Sequence, residues 1–192
     1  MVVALYLTRK TNIMKVNGKI PLTLGFSDLS DDHFTTLIAE DSTALFPLFE
    51  RVSVVSASNI PAAEVLFVYT HLNEDGTLGT IARAGVRQIV QMTKSAIVVV
   101  ASPNSGTSIT NAAAMSGPKT ANIVFTVDRR GEAFRKFFYT LFDKMRSGEN
   151  MLSAWVQLAP QGPIATASNL PELVLLAEAG KLAFPKAKEI WH

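Results

Sequence analysis

The sequence predicts an α/β protein, a three-layer sandwich with a mainly parallel central sheet, and three observations carry that prediction. Residues 64–70, 97–101 and 121–127 are near-continuous apolar runs, with three successive valines in the second, which is the pattern of strands buried on both faces. Residues 80–93 and 131–146 lie between or after them with apolar positions at helical spacing. Each run also ends in a polar corner, at His71, at Ser102-Pro103-Asn104-Ser105-Gly106-Thr107 and at Asp128. Ligands in open α/β sheets bind outside the carboxyl ends of the strands, so these corners, and 102–107 first, are where a site is sought.

In chain order, residues 2–7 read as a first strand and not as a signal peptide, since no basic leader or small-residue cleavage site accompanies them. Residues 12–24 hold two short runs around Asn17-Gly18, the dipeptide of a type I′ turn, and predict an N-terminal β-hairpin. Pro21 has no N–H for the ladder, so its strand is expected at an edge or with Pro21 on an unpaired side. Ser30-Asp31-Asp32 is an N-cap and acidic first turn for a helix over 31–49, interrupted before Pro47. A short strand at 52–56, a loop at 59–61 and the strand at 64–70 follow. The loop 72–76 leads to a helix over 80–93 and so to the strand at 97–101. Residues 108–115 predict a short helix closed by Gly117-Pro118. The helix over 131–146 carries a stripe of Phe134, Phe137, Phe138, Leu141, Phe142 and Met145 that must lie on the sheet. A helix over 150–158, a loop at 162–168, a late strand at 171–176 and a segment at 181–184 that pairs with it or begins the tail complete the chain, which is read as one domain over 1–192.

At 192 residues the chain can bury roughly 70% of its unfolded surface without staples. It has no cysteine, which removes disulfides, thiolate metal sites and a Cys nucleophile and fits a cytoplasmic setting. Hydrophobic residues make up 48% and charged residues 18%, an excess of apolar surface that a protein partner or homo-oligomer interface would absorb. No uncharged stretch has the ~20 continuous apolar residues of a membrane span. A net charge of +2 without a basic patch gives no expectation of nucleic acid binding.

Three segments resemble, in order, the caspase-like CHAT domains of bacteria, over about the middle half of the chain. The strand ending Tyr69-Thr70-His71 resembles the family strand that ends in the catalytic Thr-His-Gly. The strand ending Ala101-Ser102-Pro103-Asn104-Ser105-Gly106 resembles the one that ends Ser-Ala-Cys-Asn-Thr-Gly and carries the nucleophile. Residues 121–141, with Val127-Asp128 and then Phe134, Phe138 and Tyr139, resemble the following strand and helix. The resemblance implies a caspase-like sheet topology. It also implies loss of activity, because Pro103 stands at the position of the nucleophilic Cys and Leu72 replaces the glycine after the His. His71 and Pro103 are 32 positions apart, against about 50 between His and Cys in the caspase signature.

The expected function is therefore a non-enzymatic interaction or regulatory module. The alternative is a serine-dependent hydrolase in which His71, whose imidazole is the side chain suited to proton transfer near neutral pH, activates Ser102 or Ser105 while Asp128 orients the ring. Ser105 does not sit in the G-x-S-x-G elbow of the α/β-hydrolases. A third reading places an anion or nucleotide on Asn104, Ser105, Gly106 and Thr107, against the plainer one that Ser105, Thr107 or Ser108 caps a helix; the chain has neither a P-loop nor a G-x-G-x-x-G. No cofactor is expected, and His33, His71 and His192 lack the grouping of a metal site. Trp155 and Trp191 are the aromatic residues singled out for interface roles, and Arg129-Arg130 reads as a solvated corner.

Overall fold

The valine-rich runs form the middle of one sheet. The computed structural model describes residues 18–30, 34–55, 59–79, 84–159 and 169–185. Along these the elements are β1 (Ile20–Asp28), α1 (Thr35–Leu45), a 3-10 turn (Phe46–Leu48), β2 (Phe49–Val55), β3 (Val65–Tyr69), α2 (Val86–Thr93), β4 (Ile97–Val100), α3 (Gly106–Ala114), β5 (Asn122–Asp128), α4 (Glu132–Arg146), α5 (Met151–Leu158) and β6 (Glu172–Ala177). The strand order is β2-β1-β3-β4-β5-β6. β1 to β5 are mutually parallel, and β6 runs antiparallel to β5. After β1 the chain adds β2 on one side and then β3, β4 and β5 on the other, so the order reverses between β1 and β3.

Alternation along the central strands sorts their side chains into two cores. Phe26, Phe67, Tyr69, Val99, Ala101 and Val124 face α1, α4 and α5. Leu66, Val68, Val98, Val100, Ile123 and Phe125 face α2 and α3. Both faces are covered, which is why β3 and β4 consist of apolar residues without alternation. The ring of Phe67 is the centre of the first core, 5.3 Å from Phe26, 5.1 Å from Phe138 and 6.3 Å from Phe134 and Phe142. The predicted phenylalanine stripe of α4 is thus buried. No described helix is long and apolar enough to cross a membrane.

Several local expectations are corrected. β1 is an interior strand, paired with both β2 and β3 from Leu24 onward. Pro21 is accommodated because the register with β2 shifts between Ile20 and Thr23, before β3 begins to pair. The first limb of the expected hairpin, residues 12–17, and the strand at 2–7 lie outside the described residues, as do the loop at 162–168, His33, Trp191 and His192. The helix expected over 31–49 ends at Leu45, where Pro47 tightens the chain into the 3-10 turn, and β2 starts at Phe49, three residues earlier than the strand expected at 52–56. The helix expected over 80–93 begins only at Val86: Ala84 bridges to Leu78, and Gly85 is extended, its N–H donating to Gln88 Oε1 at 3.1 Å. Residues 181–184 do not join the sheet beside β6. Ala183 bridges to Asn150, and the Met151 N–H donates to the Leu182 carbonyl at 2.7 Å.

The loop after β3 is pinned to α3. Gly76 has φ +85°, and a Cβ there would lie 2.3 Å from the Ala112 nitrogen and 2.6 Å from the Asn111 carbonyl carbon, both backbone atoms. The Asn111 side chain donates to the Glu74 carbonyl at 2.6 Å in the same contact. Gly76→Ala should therefore lower stability by roughly 1–3 kcal/mol through left-handed strain and a backbone clash, read as a shift in the urea midpoint; an unchanged midpoint would mean the loop is not seated on α3.

Candidate functional site

The carboxyl ends of β3 and β4 are neighbours, and they bring His71 and Pro103 together. His71 Nδ1 lies 2.9 Å from the Pro103 carbonyl oxygen. A carbonyl only accepts, so Nδ1 carries a hydrogen and donates it. The imidazole is exposed, with its edge against Phe34 at 5.5 Å between ring centres. The next residue, Leu72, donates its backbone N–H to Asn104 Oδ1 at 2.6 Å. Asn104 Nδ2 donates to the Ser102 carbonyl at 2.5 Å and the Thr126 carbonyl at 3.4 Å, and the Asn104 N–H donates to the Thr126 carbonyl at 2.9 Å. One buried asparagine thus ties together the ends of β3, β4 and β5.

The other predicted residues are placed as follows. Ser105 is the N-cap of α3: its Oγ accepts the Ser108 N–H at 3.1 Å and lies 2.9 Å from Ser108 Oγ. Gly106 and Thr107 are the first residues of that helix. Ser102 is 1% exposed, and its Oγ has no hydrogen-bond partner among the described residues. Asp128 ends β5 with its carboxylate accepting the Arg130 N–H and Nε, each at 3.1 Å. The structure therefore joins His71 to the 102–105 loop through Pro103, while the hydrogen bonds of Ser105 go to Ser108 and those of Asp128 to Arg130. Trp155 packs edge-on against Phe137, 5.0 Å between centres, and is half-buried.

Directly beneath this rim lies a charged cluster. Arg129 is buried, contrary to the solvated corner expected for it. Its Nη2 donates to both oxygens of Asp41, at 2.9 and 2.7 Å, and its Nη1 donates to the Ala101 carbonyl at 2.8 Å. Tyr69 Oη donates to Asp41 Oδ2 at 2.5 Å. The guanidinium also sits 3.8 Å over the Phe134 ring, a cation–π contact. Burial, and then the Asp41 carboxylate, push the Tyr69 phenol well above its usual pKa. A signal for Asp41 exists in the sequence. Phe34, Ile38, Asp41 and Leu45 recur at spacings of four and three, so a carboxylate falls on the buried stripe of α1.

On the opposite face, Arg87 of α2 pairs with Glu178 just after β6, at 3.0 Å (Nε to Oε2) and 2.5 Å (Nη2 to Oε1), and also donates to the carbonyls of Ala113 and Met115. In the turn after His71, the Asp75 carboxylate accepts from the Thr77 hydroxyl at 2.7 Å and the Thr77 N–H at 2.9 Å, which lowers its pKa. The described residues contain no group of three or more His, Asp or Glu arranged to hold a metal ion. No protein-family model matches the chain, and no curated protein matches it.

The raised Tyr69 pKa sets a pH dependence. The unfolded phenol ionises near pH 10 and the folded one well above it, so the stabilisation is complete below pH 10 and is lost as pH climbs from there toward the folded value. Tyr69→Phe removes a hydrogen bond to a charged group, worth about 1.5–3 kcal/mol at pH 8. Urea unfolding at pH 8 and pH 11 should show the gap between wild type and variant narrowing at the higher pH, and a constant gap would contradict the buried phenol.

Proposed function

We propose that the chain is a non-enzymatic interaction or regulatory module, resembling an inactive CHAT or caspase-like domain. The observation that carries the reading is the corner itself. The two positions that the resemblance assigns to the histidine and the nucleophile, His71 and Pro103, stand within hydrogen-bond distance at the ends of adjacent parallel strands. Proline brings neither a thiol nor an N–H. The Leu72 N–H, which would face a substrate at this corner, is already donated to Asn104. What remains is an exposed imidazole on a rim whose backbone is bonded to itself, an arrangement suited to being recognised by a partner more than to activating a bond.

The hydrolase alternative ranks behind it for a geometric reason. A general base must reach the proton it takes, about 2.6–3.2 Å between heavy atoms. Ser105 Oγ is engaged in capping α3, and Ser102 Oγ is enclosed in the protein. The anion reading loses the Asn104 donor in the same way, since that side chain is occupied by three strand ends.

Incubation with a degenerate peptide mixture followed by mass spectrometry should show no cleavage above that of a His71→Ala control, and a serine-directed phosphonate should leave the protein unlabelled. Cleavage abolished by His71→Ala, or labelling lost in Ser105→Ala or Ser102→Ala, would overturn the proposal.

A further inference from the structure

The other buried charged groups named above have ion-pair partners, but Asp28, the last residue of β1, has none among the described residues. It is 6% exposed, and its one hydrogen bond among the described residues is from the Ser30 N–H to Oδ1 at 3.2 Å. No Lys, Arg or His among the described residues forms an ion pair with it. Its oxygens are not among the enclosed polar atoms left without a bond, so the carboxylate opens into the groove it lines, where a cation would complete it. Asp28 lines a groove of about 290 Å³ between α1 and the ends of β1 and β2, with Ile38, Ala39, Val54 and Val55 as its apolar walls. The nearest compensating feature is the first turn of α1, whose Thr35 lines the same groove and which carries neither a side-chain cap nor an acid of its own. A helix terminus offers only a partial charge, and it leaves the groove unfilled.

We infer that this groove receives one lysine or arginine side chain from an extended segment of a partner protein. This rests on the reading of the chain as an interaction module and names what that module would recognise. The volume lies just under the roughly 300–1,000 Å³ of pockets for drug-sized ligands, so it suits a single side chain. An aliphatic stem would lie along the apolar walls with its cationic head at Asp28. Among the described residues β2 is an outer strand of the sheet, with no described strand on its far edge. Val54, 55% exposed, and Val55 belong to both that edge and the groove wall. A peptide pairing with β2 by main-chain hydrogen bonds would deliver a side chain into the groove, the mode in which the backbone gives affinity and a pocket gives specificity.

The probe is an acetylated, amidated hexapeptide of alternating Thr and Val with one central Lys, titrated into nitrogen-15-labelled full-length protein, with norleucine and Glu peptides as controls. Saturable shifts on β2 and α1 are expected with the Lys peptide alone. Asp28→Asn keeps an oxygen for the Ser30 N–H while removing the charge; it should weaken the Lys peptide at least tenfold and leave the free protein folded. Equal binding of the Lys and norleucine peptides, no binding of the Lys peptide, or an Asp28→Asn variant that binds unchanged would each overturn the inference. Cleavage of the peptide during the titration would instead overturn the non-enzymatic reading, and the two failures are distinguished by mass spectrometry of the same sample.

Discussion

The Arg129–Asp41 ion pair, with Tyr69 and the Ala101 carbonyl completing it, is the constraint on which the carboxyl end of the sheet depends. Its members come from α1, the end of β3, the end of β4 and the residue after β5. Taking two charges out of water costs several kcal/mol per ion, and the attraction between them offsets that cost only when geometry is good and the remaining donors and acceptors are satisfied. Here Nη2 of the guanidinium donates to both carboxylate oxygens, Nη1 goes to the Ala101 carbonyl, a phenol donates to the carboxylate, and an aromatic face lies under the cation. Four separate segments are held in one arrangement because any displacement leaves a charge buried without its partner. Such a pair contributes position more securely than it contributes stability.

The strand-end rim is built on that fixed base. His71 lies two residues beyond Tyr69, and Ser102 and Pro103 follow Ala101 directly, so the rim inherits its geometry from the cluster beneath. Above it, Asn104 and the Leu72 N–H add a second layer of hydrogen bonds. Polar groups in the two layers are satisfied by one another, with the enclosed Ser102 hydroxyl as an exception. Asp28, at the end of β1, is the contrasting case, a carboxylate with one hydrogen bond from the Ser30 N–H and no ion-pair partner among the described residues. The difference between these two acids, one saturated and one open, is the physical basis for treating the His71 rim as a shaped surface and the Asp28 groove as a receptor for a cation.

Much of the fold was legible in the sequence for a simple reason. Parallel strands covered on both faces must be apolar at successive positions, so Val98-Val99-Val100 and Val65 to Tyr69 announce themselves. The stripe of α4 is equally plain, because six large side chains repeat at helical spacing. Ends set by one residue's backbone were read unevenly. The break before Pro47 was expected and takes the form of a 3-10 turn, whereas the start of α2 at Val86, after an extended Gly85, was not. The site was only half legible. The meeting of His71 with the 102–105 loop followed from their being strand ends, whereas the ion pair joins residues 88 positions apart and no local pattern connects them. Arg129 and Arg130 look alike in sequence, yet one is buried against Phe134 and Asp41 and the other spans the exposed Asp128 and Glu172. Asp41 alone left a trace, as the charged residue on an apolar stripe.

A double-mutant cycle across Asp41 and Arg129 measures this constraint directly, using Asp41→Leu, Arg129→Leu and the combination in chemical unfolding. Each single change strands a buried charge and is expected to cost roughly 3–5 kcal/mol, while the double variant, which strands none, should fall short of the sum by about 1–3 kcal/mol. Strictly additive losses would contradict the pairing and with it the view that the strand-end rim is fixed from below.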